Sequence, residues 1–227
     1  MRATWVHLGR DRVRDIALVC LAVAVVGASF GAVTVGSGLP VWLPVVMSVV
    51  VFAGAAQFLF VGILAAGGSP VAAVLAGLLV NARHLPFGLA LGPVIGGRAA
   101  ERVFGSYLLI DESVAFTLAE PDDTRRRAVY WTSAVGLFLG WNAGVLVGAL
   151  GGNLVGDTDV LGLDAAFPAA LLALILPALR EPAARRAAIT GAVLAVALSP
   201  LLPPGLPVLL ALAGLSIGLL PPRDSDR

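Results

Sequence analysis

Across residues 16–97 a single formally charged side chain, Arg83, interrupts an otherwise apolar run. No soluble fold hides a run of that length. Apolar stretches of about 20 residues recur along the chain, each able to cross a hydrocarbon core of roughly 30 Å as a helix. Of the 227 residues 59% are hydrophobic and 13% charged, with a mean hydropathy of +0.95, against roughly 25% charged in soluble domains. The fold class is therefore all-α, a polytopic integral membrane protein whose partner throughout is the lipid bilayer.

Residues 1–15 read as a basic cytoplasmic tail, 16–220 as a single transmembrane transport domain, and 221–227 as a polar C-terminal tail. The opening "MRATWVHLGRDRVRD" superficially resembles a secretory signal, but many spans follow, so the first helix is expected to be retained. Cys20 is the one cysteine, which excludes an intrachain disulfide. All 15 basic residues are Arg, a mark of a GC-rich bacterial genome. A net charge of +1 with no extended basic run excludes a nucleic-acid partner.

Gly and Pro punctuation divides the domain into eight spans near 16–35, 41–66, 71–95, 103–119, 129–150, 165–179, 187–198 and 208–220. Pro86, Gly88 and Pro93 predict that the third is bent or broken. Eight spans put the N-terminal arginines, Arg125–Arg127, and Arg180 with Arg185 and Arg186 on one side, which the positive-inside rule makes cytoplasmic. One connection disagrees: Arg98 and Arg102 fall outside. A seven-span alternative, with 71–95 looping back, brings them inside but exports Arg125–Arg127 unless another span also changes. The stretches 78–92 and 194–208 share apolar spacing and a Pro-x-Gly, the pattern an internal repeat would leave.

A charge at the centre of a span costs roughly 2.5 to 3.5 kcal/mol, so each needs a partner, a cavity or a function. Arg83, His84, Asp111 and Glu112 are such groups, and Gln57 and Asn81 add buried amides. Asn81 and His84, three apart, share a helix face. A helix broken near Pro86 would also free backbone groups for a solute. Asp111 and Glu112 are about 100° apart on a helix, so one is expected to neutralise Arg83 while the other faces elsewhere. Each of these groups has a structural reading beside the functional one: an ion pair for Arg83, a backbone hydrogen bond for His84, an interhelical bond for Gln57. Gly54 and its neighbouring alanines suit close helix packing. Trp5, Trp42, Trp131 and Trp141 read as interface anchors.

The motifs "FAGAAQF" (52–58), "LLVNARHLPFG" (78–88), "DES" (111–113) and "GLDAAFPA" (162–169) resemble, in order, those of the AzlC-type branched-chain amino acid permeases. The resemblance extends over about residues 15 to 200. It implies a transporter of the bacterial inner membrane that exports branched-chain amino acids, valine, leucine and isoleucine; methionine would suit the same polar groups, and the positive-inside rule puts the N-terminus in the cytoplasm. It also implies a small hydrophobic AzlD-type partner subunit. The matching polar positions are Gln57, Asn81, Arg83, His84, Asp111, Glu112 and Asp164, and the match assigns them no individual roles. The chain departs from the usual pattern at Pro86-Phe87-Gly88, where an aromatic-Gly pair without the proline is more common. A zwitterion suits these groups: Arg83 for its carboxylate, Asp111 or Glu112 for its ammonium, and the small apolar surface around Gly54 for its side chain.

No nucleotide-binding signature is present, so proton-gradient coupling through His84, Asp111 or Glu112 is the default expectation. No cofactor or metal site is expected, and the chain is not expected to be an enzyme. An intramembrane aspartyl protease is a remote alternative, since neither acid carries the flanking residues such an active site uses. A channel or a transporter for another small solute is the nearer alternative.

Overall fold

In the computed structural model, described for residues 8–152, 172, 176, 178–203 and 205–218, all regular structure among the described residues is helical. Asp164, Trp5, the "GLDAAFPA" motif and most of the expected sixth span lie outside the described residues. The helices are α1 (Arg10–Gly36), α2 (Trp42–Val50), α3 (Gly54–Ala65), α4 (Pro70–Asn81), α5 (His84–Ile95), α6 (Ala99–Tyr107), α7 (Asp111–Leu118), α8 (Asp123–Gly152) and α9 (Pro182–Leu198). Two short pieces, α10 (Leu206–Leu210) and α11 (Gly214–Gly218), follow. Among the described residues only α1 and α8 are individually long and apolar enough to cross a membrane; α4 and α5, meeting at 44°, pass the same test as one bent pair.

The chain forms two compact units, residues 8–57 with 79–152 and residues 58–78 with 172–218. The first is built on α1 and α8. Glycines recur every fourth residue on α8, at 136, 140, 144, 148 and 152, and line one face of the helix. A Cβ on Gly140 would stand 2.8 Å from the Cys20 carbonyl oxygen, and one on Gly152 3.1 Å from the Ala32 Cα. On Gly144 and Gly148 it would overlap the carbonyls of Ala24 and Ala28. The pairs rise together, 20 with 140 through 32 with 152, so the two helices run parallel in backbone contact. Such contact lets Cα–H groups meet carbonyl oxygens, each worth about 0.5–1 kcal/mol.

The expected second, third and fourth spans are not continuous helices; each is interrupted once. The first interruption is residues 51–53, where Phe52 has φ +38°, a strained value for a residue with a Cβ. The Phe52 ring holds it there, edge-on to Phe138 at 5.0 Å and tilted against Tyr107 at 6.2 Å. The second is Ala82–Arg83, where Ala82 N–H donates to Leu79 O and Leu85 N–H to Ala82 O, both three residues back. This break precedes Pro86. The proline sits in the first turn of α5, where its missing N–H costs nothing, so it starts a helix rather than kinking one. The third is residues 108–110, where the Ser113 hydroxyl accepts from Ile110 N–H and donates to Ile110 O. Asp111 and Glu112 thus stand in the first turn of α7, not in the middle of a span.

Helices α6 and α7 form a hairpin along α8. Glu101, in the first turn of α6, pairs with Arg127 at 3.0 Å. Hydrogen bonds from the Arg98 backbone and from Arg127 hold its carboxyl below the ordinary value of 4.5. Deeper in, the Tyr130 hydroxyl donates to Gly105 O, and at the tip Tyr107 packs on Phe138 at 5.9 Å. Arg127 and Phe138 are 11 residues apart on α8, roughly 16 Å of rise. The returning arm ends at Glu120, which meets Arg126 through its carbonyl at 2.7 Å and Arg12 of α1 through its carboxylate at 3.4 Å. Both ends of the hairpin therefore lie beside the start of α8. The end of α5 is there too, since Trp131 donates to Ile95 O at 3.2 Å.

In the second unit Ile63, Ala73 and Ala76 are buried against Leu59, Phe60, Leu64 and Leu209. Gly214 meets α9, where a Cβ would stand 2.6 Å from Ala187 O. The two stretches compared as a repeat both read helix, break, helix, but their aligned Pro-x-Gly differ: 86–88 lies inside α5, and Gly205, at φ +95°, lies in the break before α10.

The glycine ladder makes a direct prediction. Gly148→Leu should lower stability to unfolding in detergent by about 1–3 kcal/mol or more, because an overpacked interface has no flexible neighbour to yield. Gly151→Leu, at a position with nothing within 4 Å, serves as the control; equal losses from the two would remove the interface from the account.

Candidate functional site

The six candidate polar residues all belong to the first unit and cluster at the three breaks. Gln57 lies four residues beyond the first, Asn81, Arg83 and His84 surround the second, and Asp111 and Glu112 follow the third. Irregular backbone at membrane depth survives only where protein or a water-lined cavity receives its freed groups. Here the Tyr107 hydroxyl donates to the Val49 carbonyl of α2, and Gln57 Nε2 donates at 2.6 Å to Met47 O, which also accepts from Val51 N–H. Helices α3, α5 and α7 each begin at a break, where the partial positive charge of a helix N-terminus favours an anion.

Arg83 pairs with Asp111, Nη1 to Oδ2 at 2.8 Å. The partner left open by the sequence is thus Asp111, not Glu112. The acid sits in the first turn of α7, where the helix dipole also favours its negative charge. The side chains are 35% and 29% exposed, so the pair is screened on one side and desolvated on the other.

Three buried polar atoms here have no hydrogen-bond partner: Gln57 Oε1, Asn81 Oδ1 and Arg83 Nε. Buried polar groups are overwhelmingly satisfied in native proteins, so each orphan calls for an explanation. The Gln57 orientation is fixed chemically, because the Met47 carbonyl can only accept; the orphan must be the oxygen, and the side chain is fully buried. His84 is accounted for. Its Nδ1 lies 2.9 Å from Asn81 O, which assigns that nitrogen the proton, and its ring meets Phe87 edge-on at 6.2 Å.

Two expectations change. Gly54 is not open surface: a Cβ there would stand 3.0 Å from the Trp141 indole, so the glycine admits that ring. Trp141 is no interface anchor, being 4% exposed and stacked on Phe30 at 5.9 Å, in contrast to Trp42 at 62%. Asn142 went unremarked in the sequence, although an amide in an apolar run is the signal that marked Gln57. It accepts from Ser48 of α2 at 2.7 Å and donates to Phe138 O at 2.8 Å. Phe138, Trp141 and Asn142, near the middle of α8, together contact the first break and the tip of the α6–α7 hairpin.

Residues 18–155 match the family described as AzlC protein, a range that holds all six candidates. The chain is similar to the branched-chain amino acid transport protein AzlC of Bacillus subtilis (strain 168), with 26% identity over 173 residues covering 75% of this chain and 68% of that protein. No solved structure matches it.

Removing either member of the central pair leaves a partly buried charge without its partner, so the losses should not add. In denaturant unfolding of Arg83→Gln, Asp111→Asn and the double variant, the two single losses should together exceed the double loss by on the order of 1 kcal/mol, after discounting for exposure. Strict additivity would mean that the pair contributes nothing.

Proposed function

The chain belongs to the AzlC family, and from that premise we propose that it carries branched-chain amino acids across a membrane. The direction is export from the cytoplasm of a bacterial cell through its inner membrane. The substrates are valine, leucine, isoleucine and the similarly shaped methionine, and the work is done together with a small AzlD-type membrane subunit. The observation that carries this reading is the Arg83–Asp111 pair at helix breaks within apolar segments, since ionisable groups in apolar segments mark solute pathways and broken helices offer their ends to a solute. The protease alternative loses support from the same pair: Asp111 is engaged with a guanidinium, whereas a catalytic dyad needs a second acid facing it. With no nucleotide-binding motif, the proton gradient is the proposed energy source.

The fold supports a revised path through the bilayer. Parallel α1 and α8 require an odd number of crossings between Gly36 and Asp123. The α6–α7 hairpin enters and leaves at the start of α8, and its helices of 9 and 8 residues, roughly 12–14 Å each, are too short to span. Read as a re-entrant element, it leaves the odd, net return crossing to residues 37–97. This path places Arg98 and Arg102 with Arg12 and Arg125–Arg127 on the cytoplasmic side, which removes the exception to the positive-inside rule that an eight-span count leaves. It also argues against the seven-span alternative, in which α1 and α8 would run antiparallel.

Two experiments test these readings. Cells lacking their own exporters, loaded with dipeptides and expressing the chain with an AzlD-type subunit, should release valine, leucine and isoleucine faster than control cells. No acceleration by a correctly inserted pair would sink the transport reading. Separately, a cysteine at position 98 or 102 in a Cys20→Ala background should react with an impermeant maleimide only when the cytoplasmic face is open. Labelling of intact cells would restore the external loop and with it a crossing over residues 103–119.

A further inference from the structure

The proposed transport of an α-amino acid leaves open which groups hold its two charges, and the break between α4 and α5 carries an answer that differs from the simplest charge matching. Asp111 is already paired with Arg83. An acid engaged with a guanidinium is a poor ligand for a second cation, because its charge is largely neutralised where it stands. The bond is made to Nη1. In a guanidinium the Nε–H and one Nη2 hydrogen point the same way and form the side-on fork, and Nη1 lies outside it. The contact with Asp111 therefore does not use Nε, which is buried without a partner. Arg83 can receive a second carboxylate without releasing the first.

Two residues earlier Asn81 holds a buried acceptor, Oδ1, also without a partner. Asn81 is the last residue of α4 and Arg83 immediately precedes α5, so both orphan atoms belong to side chains that border the same break. One turn of chain thus carries an orphan donor on a cation and an orphan acceptor on a neutral amide, the complement of a carboxylate and an ammonium on one carbon. We propose that Arg83 binds the substrate carboxylate through its Nε–Nη2 fork, that the Asn81 amide oxygen receives the ammonium, and that Asp111 is a positioning residue that fixes the guanidinium. This rests on the transport reading above and replaces an acid with an amide as the ammonium ligand. An amide also leaves the amino acid free to depart, since it holds the ammonium by a hydrogen bond rather than by an ion pair in a desolvated site.

The test is equilibrium binding to the full chain in lipid nanodiscs, co-purified with its AzlD-type subunit where one is needed. The ligands are valine, valinamide, which lacks the carboxylate, and 2-hydroxyisovalerate, which lacks the ammonium. The parent should prefer valine to either analogue by about tenfold or more, as sites built to pair a polar group do. Arg83→Lys keeps the charge and loses the fork; it should abolish the preference over valinamide and keep that over the hydroxy acid. Asn81→Ala should do the reverse, and Asn81→Ser, which retains a small polar side chain, should reproduce it if the alanine variant folds poorly. Asp111→Asn should weaken all three ligands together and leave both preferences in place. Loss of the ammonium preference in Asp111→Asn, with its retention in both Asn81 variants, overturns the assignment and makes the acid the ligand. Retention of the valinamide preference in Arg83→Lys overturns the fork. A parent chain that binds none of the three would instead remove the transport reading on which the assignment rests.

Discussion

Carbonyl oxygens of α1 lie against glycine α-carbons of α8, and the rest of the first unit depends on that contact. A ladder with period four keeps one face of α8 free of side chains over its C-terminal half, so the backbones of two long apolar helices meet without a layer between them. Lipid offers no hydrophobic force to bring helices together, so close fit and Cα–H contacts supply the attraction. The register, 24 with 144 and 28 with 148, also fixes the direction of the pair. Parallel packing then dictates the parity of everything between.

Within the first unit the shorter helices stop at breaks, and each stop is stabilised by groups from neighbouring elements. Gln57 and Tyr107 meet the carbonyls of α2, Ser113 caps the start of α7, and Leu85 N–H takes the Ala82 carbonyl that a residue four positions on, Pro86, cannot serve. The helices resume with their positive ends at the breaks, where Asp111 sits to advantage. The Arg83–Asp111 pair is therefore local in origin and central in position. Its geometry leaves the Arg83 Nε buried without a partner.

Much of this was legible before the fold was known. The candidate polar residues stood out because apolar segments make every charge or amide conspicuous, and all six came to rest at helix breaks. Less legible were the breaks themselves. Pro86 pointed to the right segment but not the right residue, since a proline tolerated in a first turn leaves the same mark in sequence as one that kinks an interior. At Phe52 and at Leu109-Ile110 no glycine or proline announced an interruption, because those breaks are held by Phe138, Tyr107 and Ser113 rather than by local propensity. Trp141 was misjudged for a related reason: its residue type suits an anchor, and only the fold shows Gly54 and Phe30 packed against it.

By itself the sequence determined the class of the protein, the family resemblance and the identity of its buried polar groups, because burial in lipid is a matter of composition within a window, and composition is local. It also contained the glycine ladder, but not the helix that the ladder faces. Only the tertiary structure decided which acid pairs with Arg83, that α1 and α8 run parallel, and that both ends of the α6–α7 hairpin lie beside the start of α8. Those are relations between residues far apart in the chain. Apolar segments of similar length and hydropathy can cross a bilayer or turn back within it, and the choice is made by the contacts that receive their ends.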